Sequence, residues 1–179
     1  MSLKKIASAV MMVGAVSMAN AEVCKETPGS ITCGKGTVKS LAGNGMVSVN
    51  GTTIEGATVI NGMLTADDAS FSSLNVNGSV SLMQCTVSSG AEIKGSLKAS
   101  SAKFESSLDI YSSSTRFVNS KANGNLNIRH IDDLKQEVFL DNNSEVGGDI
   151  VFDDGHGKVY VSGGSKIGGS VIGGEVINK

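Results

Sequence analysis

Tryptophan is absent, proline occurs once, and aromatic residues make up only 4% of the 179 residues. A core built on large rings is excluded. Val, Ile, Leu and Ala must fill it instead, and small side chains suit a narrow interior where backbones approach closely. Enzyme chemistry is thinly supplied: there are two histidines and no P-loop, His-Glu-x-x-His or nucleophile elbow. Charge of one sign is missing too. Fifteen Lys plus Arg stand against seventeen Asp plus Glu, a net charge of −2. A general nucleic-acid binder needs basic surface to displace counterions, so that class is excluded. Beyond residue 21 no apolar run is long enough to cross a bilayer.

The first 21 residues, MSLKKIASAVMMVGAVSMANA, read as a signal peptide. Lys4 and Lys5 precede an apolar run, and Ala19-Asn20-Ala21 forms a small-x-small cleavage site. The mature protein is expected to be bacterial and periplasmic or secreted, with no membrane span after processing. Loss of two lysines leaves 13 Lys plus Arg against 17 Asp plus Glu, a net charge of −4. Three cysteines fit an oxidising compartment loosely. Cys24 and Cys33 are close enough in sequence to form a disulfide that ties down a short N-terminal lead, residues 22–30, leaving Cys85 over. Lipid attachment at Cys24 is the competing use, although Ala-Glu-Val before it lacks the Leu and small residues of a lipobox.

What the chain has in quantity is glycine, 23 residues, and internal repetition. With Val80 as position zero, apolar or small residues fall at Val80, Leu82, Cys85, Val87, Ala91 and Ile93, offsets 0, 2, 5, 7, 11 and 13. The same offsets start at Val47, Leu64, Leu97 and Thr115, so the starts are 17, 16, 17 and 18 residues apart. Looser versions flank them. Ile31, Cys33, Gly36, Val38 and Ala42 make a first coil; Val138, Leu140, Asn143, Val146, Ile150 and Phe152 fit with one residue inserted. Val159, Val161, Gly164, Ile167 and Val171 repeat that variant 21 residues later.

Residues two apart on a strand point to the same side, so each pair of offsets is one short strand with two inward side chains. Three pairs per repeat make three short strands around a triangular core. Gaps of three or four residues are corners, several marked by Asn61-Gly62, Asn77-Gly78, Lys94-Gly95 and Asn123-Gly124, where positive φ is tolerated. The letters vary because only the inward pattern is constrained. The expected fold is all-β: a single-stranded parallel β-solenoid, or triangular β-helix, with seven to eight coils of about 17 residues over 31–179. At a strand spacing of about 4.8 Å, that is a rod of roughly 35–40 Å.

A triangular solenoid with coils near 17 residues, two inward aliphatics per face and Gly corners resembles the bactofilins, a polymer-forming bacterial cytoskeletal family. The resemblance covers Ile31 to Lys179 and is one of periodicity. It implies end-to-end polymerisation without nucleotide. That family works in the cytoplasm, and this chain departs from it by its signal peptide. Adhesin stalks are a comparison of equal standing among exported solenoids.

Two kinds of site are suggested. Arg-His-Ile-Asp-Asp-Leu-Lys-Gln-Glu after Ile128 and Asp-Asp-Gly-His-Gly-Lys after Phe152 leave one corner in consecutive coils. His130, Asp132 and Asp133 could there approach Asp153, Asp154 and His156, a donor set suited to a divalent metal such as zinc. Two solvated polar loops are the simpler reading. On the outside, one column runs Ser48, Thr65, Ser81, Lys98, Arg116 and then Phe139 and Tyr160; another ends in Val151 and Ile172. The C-terminal coils thus look apolar outside as well as in, and contiguous exposed apolar surface usually marks an interface. The GGSVIGGEVINK terminus stays strand-like without a polar cap, an open edge that invites a second chain.

The expected function is therefore that of an exported, non-enzymatic structural protein. It self-associates into a homo-oligomer or polymer through its C-terminal coils, with Phe139, Tyr160, Val151 and Ile172 at the interface. An adhesin-like module of the cell envelope is the alternative, with an envelope protein or polysaccharide as partner. A metal-dependent enzyme at the His130/His156 corner comes last. No cofactor and no nucleic acid are expected.

Overall fold

The computed structural model describes residues 23–131 and 134–179. The expected signal peptide lies outside the described residues, as do Asp132 and Asp133. Strands from Cys24–Thr27 to Gly174–Asn178 join in a single continuous sheet that winds on itself. The fold is a parallel β-solenoid. Its three faces follow from alternation. Thr52–Asp67 reads buried, exposed, buried along almost its whole length and turns two corners; its ladder to Ser70–Met83 shifts register at the first, between Ile54 and Ala57, and runs unbroken through the second.

Registers give the turn count directly. Ile31, Val47, Leu64, Val80, Leu97, Thr115, Val138, Val159 and Val176 lie on successive rungs of the first face, which makes nine turns. That is one more than the upper sequence expectation. The ninth turn is Gly174–Asn178, paired in parallel with Gly157–Val161.

The other faces correct details of the repeat. On the third face of the first turn, Leu41 is the inward residue (0% exposed), while Ala42 points out in line with Val59. On the second face, the inward residues of the two longer turns are Ser144 and Ser165, not Asn143 and Gly164. The reason is a hydroxyl ladder. The Ala102 N–H donates to Ser120 Oγ (3.0 Å), the Ser120 N–H to Ser144 Oγ (3.2 Å), and the Ser144 N–H to Ser165 Oγ (3.0 Å). Backbone donors that would be stranded at this corner are satisfied by the turn above. The inserted residue goes into the corner itself: Asn142 and Asn143 both take positive φ, where shorter turns spend one residue such as Gln84 or Ser101.

Gly45, Gly62, Gly78 and Gly95 stack at another corner with φ between 100° and 144°. Gly124, expected to behave likewise, lies outside the positive-φ set; it is needed for close approach, since a Cβ there would lie 2.5 Å from the Ser107 nitrogen.

The two ends differ. At the N-terminal end, Cys24–Thr27 runs antiparallel to Ser30–Cys33, and a disulfide joins Cys24 to Cys33 across the first rung. Val23 adds to this cover: its carbonyl accepts from the Gly34 N–H (2.8 Å), and its side chain packs over Gly36. The lead is thus a lid on the core, beneath which Ile31, Cys33, Val38 and Leu41 are buried. Cys85 is buried and free within the second-face column, and burial pushes its thiol up from the ordinary cysteine value. With little thiolate and no access, Cys85 should react with a thiol reagent at pH 8 on the order of 100-fold more slowly than in denaturant. Equal rates would mean that the second face opens readily.

Candidate interaction surface

The aromatic pair on the first face lies in its expected place. Phe139 and Tyr160 occupy adjacent rungs, both half-buried, and their rings stack 4.9 Å apart at 10°. Each outer ring face is covered by a cation: the Arg116 guanidinium lies 4.4 Å from the Phe139 centroid and the Lys179 ammonium 4.3 Å from that of Tyr160. Arg116 is itself held by Asp141 at 2.5 Å. The Tyr160 hydroxyl donates to Glu137 Oε1 (3.0 Å), and this bond to a carboxylate holds the phenol pKa above its usual value. The column is a self-contained cation–ring–ring–cation stack. Its ring faces are occupied within the chain, so a sugar ring has no open aromatic face to lie on.

Val151 and Ile172 are paired on the third face, pointing outward; Val151 is half-buried and Ile172 is 50% exposed. The larger feature is the end of the rod beside them. Val161, Ile167, Val171 and Val176 continue the inward columns, yet none is buried. Val176 is 43% exposed, whereas Val159, one rung below, is 0% exposed. These four side chains and Ser165 rim a cavity of about 310 Å³. Among the described residues, nothing covers this mouth. Residues destined for a core thus face out at one end, together with unpaired N–H and C=O groups on the edges of the last strands. Sequence reasoning sought the apolar patch on the outward columns and missed these inward ones. The signal was present, for Val176 stands 17 residues after Val159, one further period.

The polar corner brings some of its residues together. The His130 ring contacts the Asp154 carboxylate through Nδ1, and His156 Nδ1 lies 2.7 Å from the Asp154 carbonyl oxygen. The three line a cleft of about 260 Å³ with Ile131, Leu134 and Gln136. Asp153 faces Arg129 at 3.6 Å, and Arg129 also holds Asp109. Asp132 and Asp133 lie outside the described residues. Among the described ones, no three His, Cys, Asp or Glu side chains converge as a metal site would require. Among the described residues, the Asp154 carboxylate meets the His130 ring, and His156 meets a backbone oxygen. The root of the longer loop is fixed by Gln136, whose Nε2 donates to the carbonyls of Arg129 (2.6 Å) and Ser112 (3.3 Å).

No family model, no curated protein and no solved structure matches this chain. The solenoid and the contrast between its two ends are therefore what a functional reading must rest on.

Proposed function

We propose that this chain is an exported, non-enzymatic structural protein of the bacterial envelope or exterior that self-associates through its C-terminal turns. The carrying observation is the contrast between ends: Val38 and Leu41 are fully buried in the first turn, whereas Ile167, Val171 and Val176 are part-exposed at the other end. Burying a half-exposed aliphatic side chain contributes about 1 kcal/mol. Four of them around one mouth, with open strand edges beside them, favour association over solvation. The bactofilin-like period supports end-to-end contact, and the signal-peptide pattern of residues 1–21 supports an extracytoplasmic setting.

Light scattering on the purified protein across concentration tests the reading. A mass above that of the monomer is expected, falling to the monomer in Val176→Asp. That change puts a charge where a core side chain is expected to meet its partner. A monomer at every concentration would overturn self-association. If Phe139→Asp removed the higher mass and Val176→Asp left it intact, the contact would lie on the side of the rod, and the C-terminal mouth would not be its site. The adhesin-like alternative, with an envelope protein or polysaccharide on one long face, is less well supported, because the aromatic column is already closed by Arg116 and Lys179.

A further inference from the structure

We infer that the open mouth pairs with the same mouth of a second copy across a two-fold axis through the third face, giving a closed dimer and not a filament. This rests on the self-association reading above and specifies its partner, its symmetry and its limit.

The shape of the rod's end selects that axis. A parallel turn climbs about 4.8 Å while visiting three faces, so neighbouring faces end about 1.6 Å apart in height. The lowest exposed edge is Lys166–Ile167 on the second face; Val171–Ile172 on the third is next, and Gly174–Asn178 on the first is highest. A two-fold axis lying in the contact plane keeps one face on itself and exchanges the other two. Through the third face, it lays the highest edge of each copy over the lowest edge of the other and sets the middle edge on its own equivalent. The heights then add to the same total on all three faces. An axis through either other face leaves a mismatch of about 4.8 Å, a whole strand spacing. The spiral step is self-complementary about one axis only.

Side chains on the rim agree with it. Ile172, 50% exposed, lies on the third face and meets its own equivalent near the axis. Lys166, exposed on the second face, is brought to the first-face edge of the second copy, which carries Glu175. All opposed strands are antiparallel, the arrangement that two-fold symmetry imposes. At the other end, among the described residues, the first-face edge is already paired with Cys24–Thr27 and locked by the disulfide, and Val38 and Leu41 on the other two faces are fully buried, so that end offers no comparable mouth. One open end per chain closes the assembly at two. Each partner offers little more than one turn of chain, near the lower limit of a standard interface, so the dimer should dissociate in the micromolar range, about 1–100 μM.

The test is a new thiol on the axis. Cys24 and Cys33 are bonded and Cys85 is buried, so Ile172→Cys supplies the accessible thiol of the described residues. Mild oxidation should link it to its equivalent as a dimer, and light scattering should find nothing above two chains. Lys35→Cys, at the sealed end, should stay unlinked. A charge swap gives a second reading: Lys166→Glu should weaken the dimer about threefold, and adding Glu175→Lys should restore it. A monomeric native protein would overturn both self-association and this dimer. Masses beyond two chains would keep self-association and overturn closure. A dimer in which Ile172→Cys fails to link and the charge swap fails to restore would overturn the axis.

Discussion

Replacing Gly78 by alanine should cost this fold about 3 kcal/mol or more, although it adds a single methyl group. Gly78 holds φ at +144°, and a Cβ built on it would sit 1.8 Å from the carbonyl oxygen of Gly62 on the rung below. That obstacle is backbone, which a rotamer change cannot move aside. Nor can the rung shift alone, because Gly62 presses in the same way on Gly45 (2.1 Å), and Gly95 presses on Gly78 (2.1 Å). Relief at one rung would have to spread along the corner. Gly90→Ala is the control: its nearest neighbour would be the Ser107 oxygen at 4.0 Å, and a change within about 0.5 kcal/mol is expected. Denaturant midpoints for the two variants decide the matter. If they coincide, the glycine corner does not limit the approach of turns.

Phe104→Ala should destabilise the protein by about 3–5 kcal/mol. Phe104 is 1% exposed and meets Phe117 edge-on, with centroids 5.8 Å apart at 74°. On its own column it stands between Val87 and Ala122. Large and small side chains alternate there, so that each turn's cross-section is filled once. The double variant Phe104→Ala/Ala122→Phe moves the ring up one turn at constant volume, and should recover part of the loss but not all, because Phe117 then meets the ring from another height. Full recovery would show that total volume alone matters in this core. No recovery would show that each turn is packed independently of its neighbours. Since a solenoid turn contacts only the turns beside it, the loss should appear as opening of the middle of the rod, visible by hydrogen exchange at neighbouring rungs.

Much of this architecture was legible because its constraint is periodic. One rule of inward offsets, started at Val47, places Leu64, Val80, Leu97 and Thr115 on the rungs where they lie. Corners were harder. Apolar spacing cannot tell where an extra residue enters, and at Asn142-Asn143 the decision rests on which side chain, Ser144, can accept an N–H from below. At the N-terminal lid the Cys24–Cys33 bond was legible from spacing, but the strand it holds was not, for a different reason. That strand runs against the direction of every other pairing described, so the period carries no trace of it.

The candidate sites divide similarly. Phe139 and Tyr160 were located in the right column, but their closure by Arg116 and Lys179 depends on side chains reaching along the rod from neighbouring turns. The His130 and Asp154 meeting was visible as two insertions at one corner. Its chemistry was not, since Arg129 takes up Asp153, and His156 turns to a backbone oxygen. The mouth escaped because Val161, Ile167 and Val171 obey the inward rule; position along the rod, not residue type, exposes them.

The register has a kinetic consequence. Each parallel rung joins residues 16 to 24 positions apart, as in Ile31 with Val47 and Ile128 with Phe152, and none reaches across the chain. As a fraction of the 179-residue chain the separation is roughly 0.10, in the range of helical bundles and well below β-sandwiches. Once one turn has formed, the next needs only a short loop to close upon it, at nearly constant entropic cost. This all-β protein can therefore grow like a winding thread from any turn, its folding rate set by forming the first two coils.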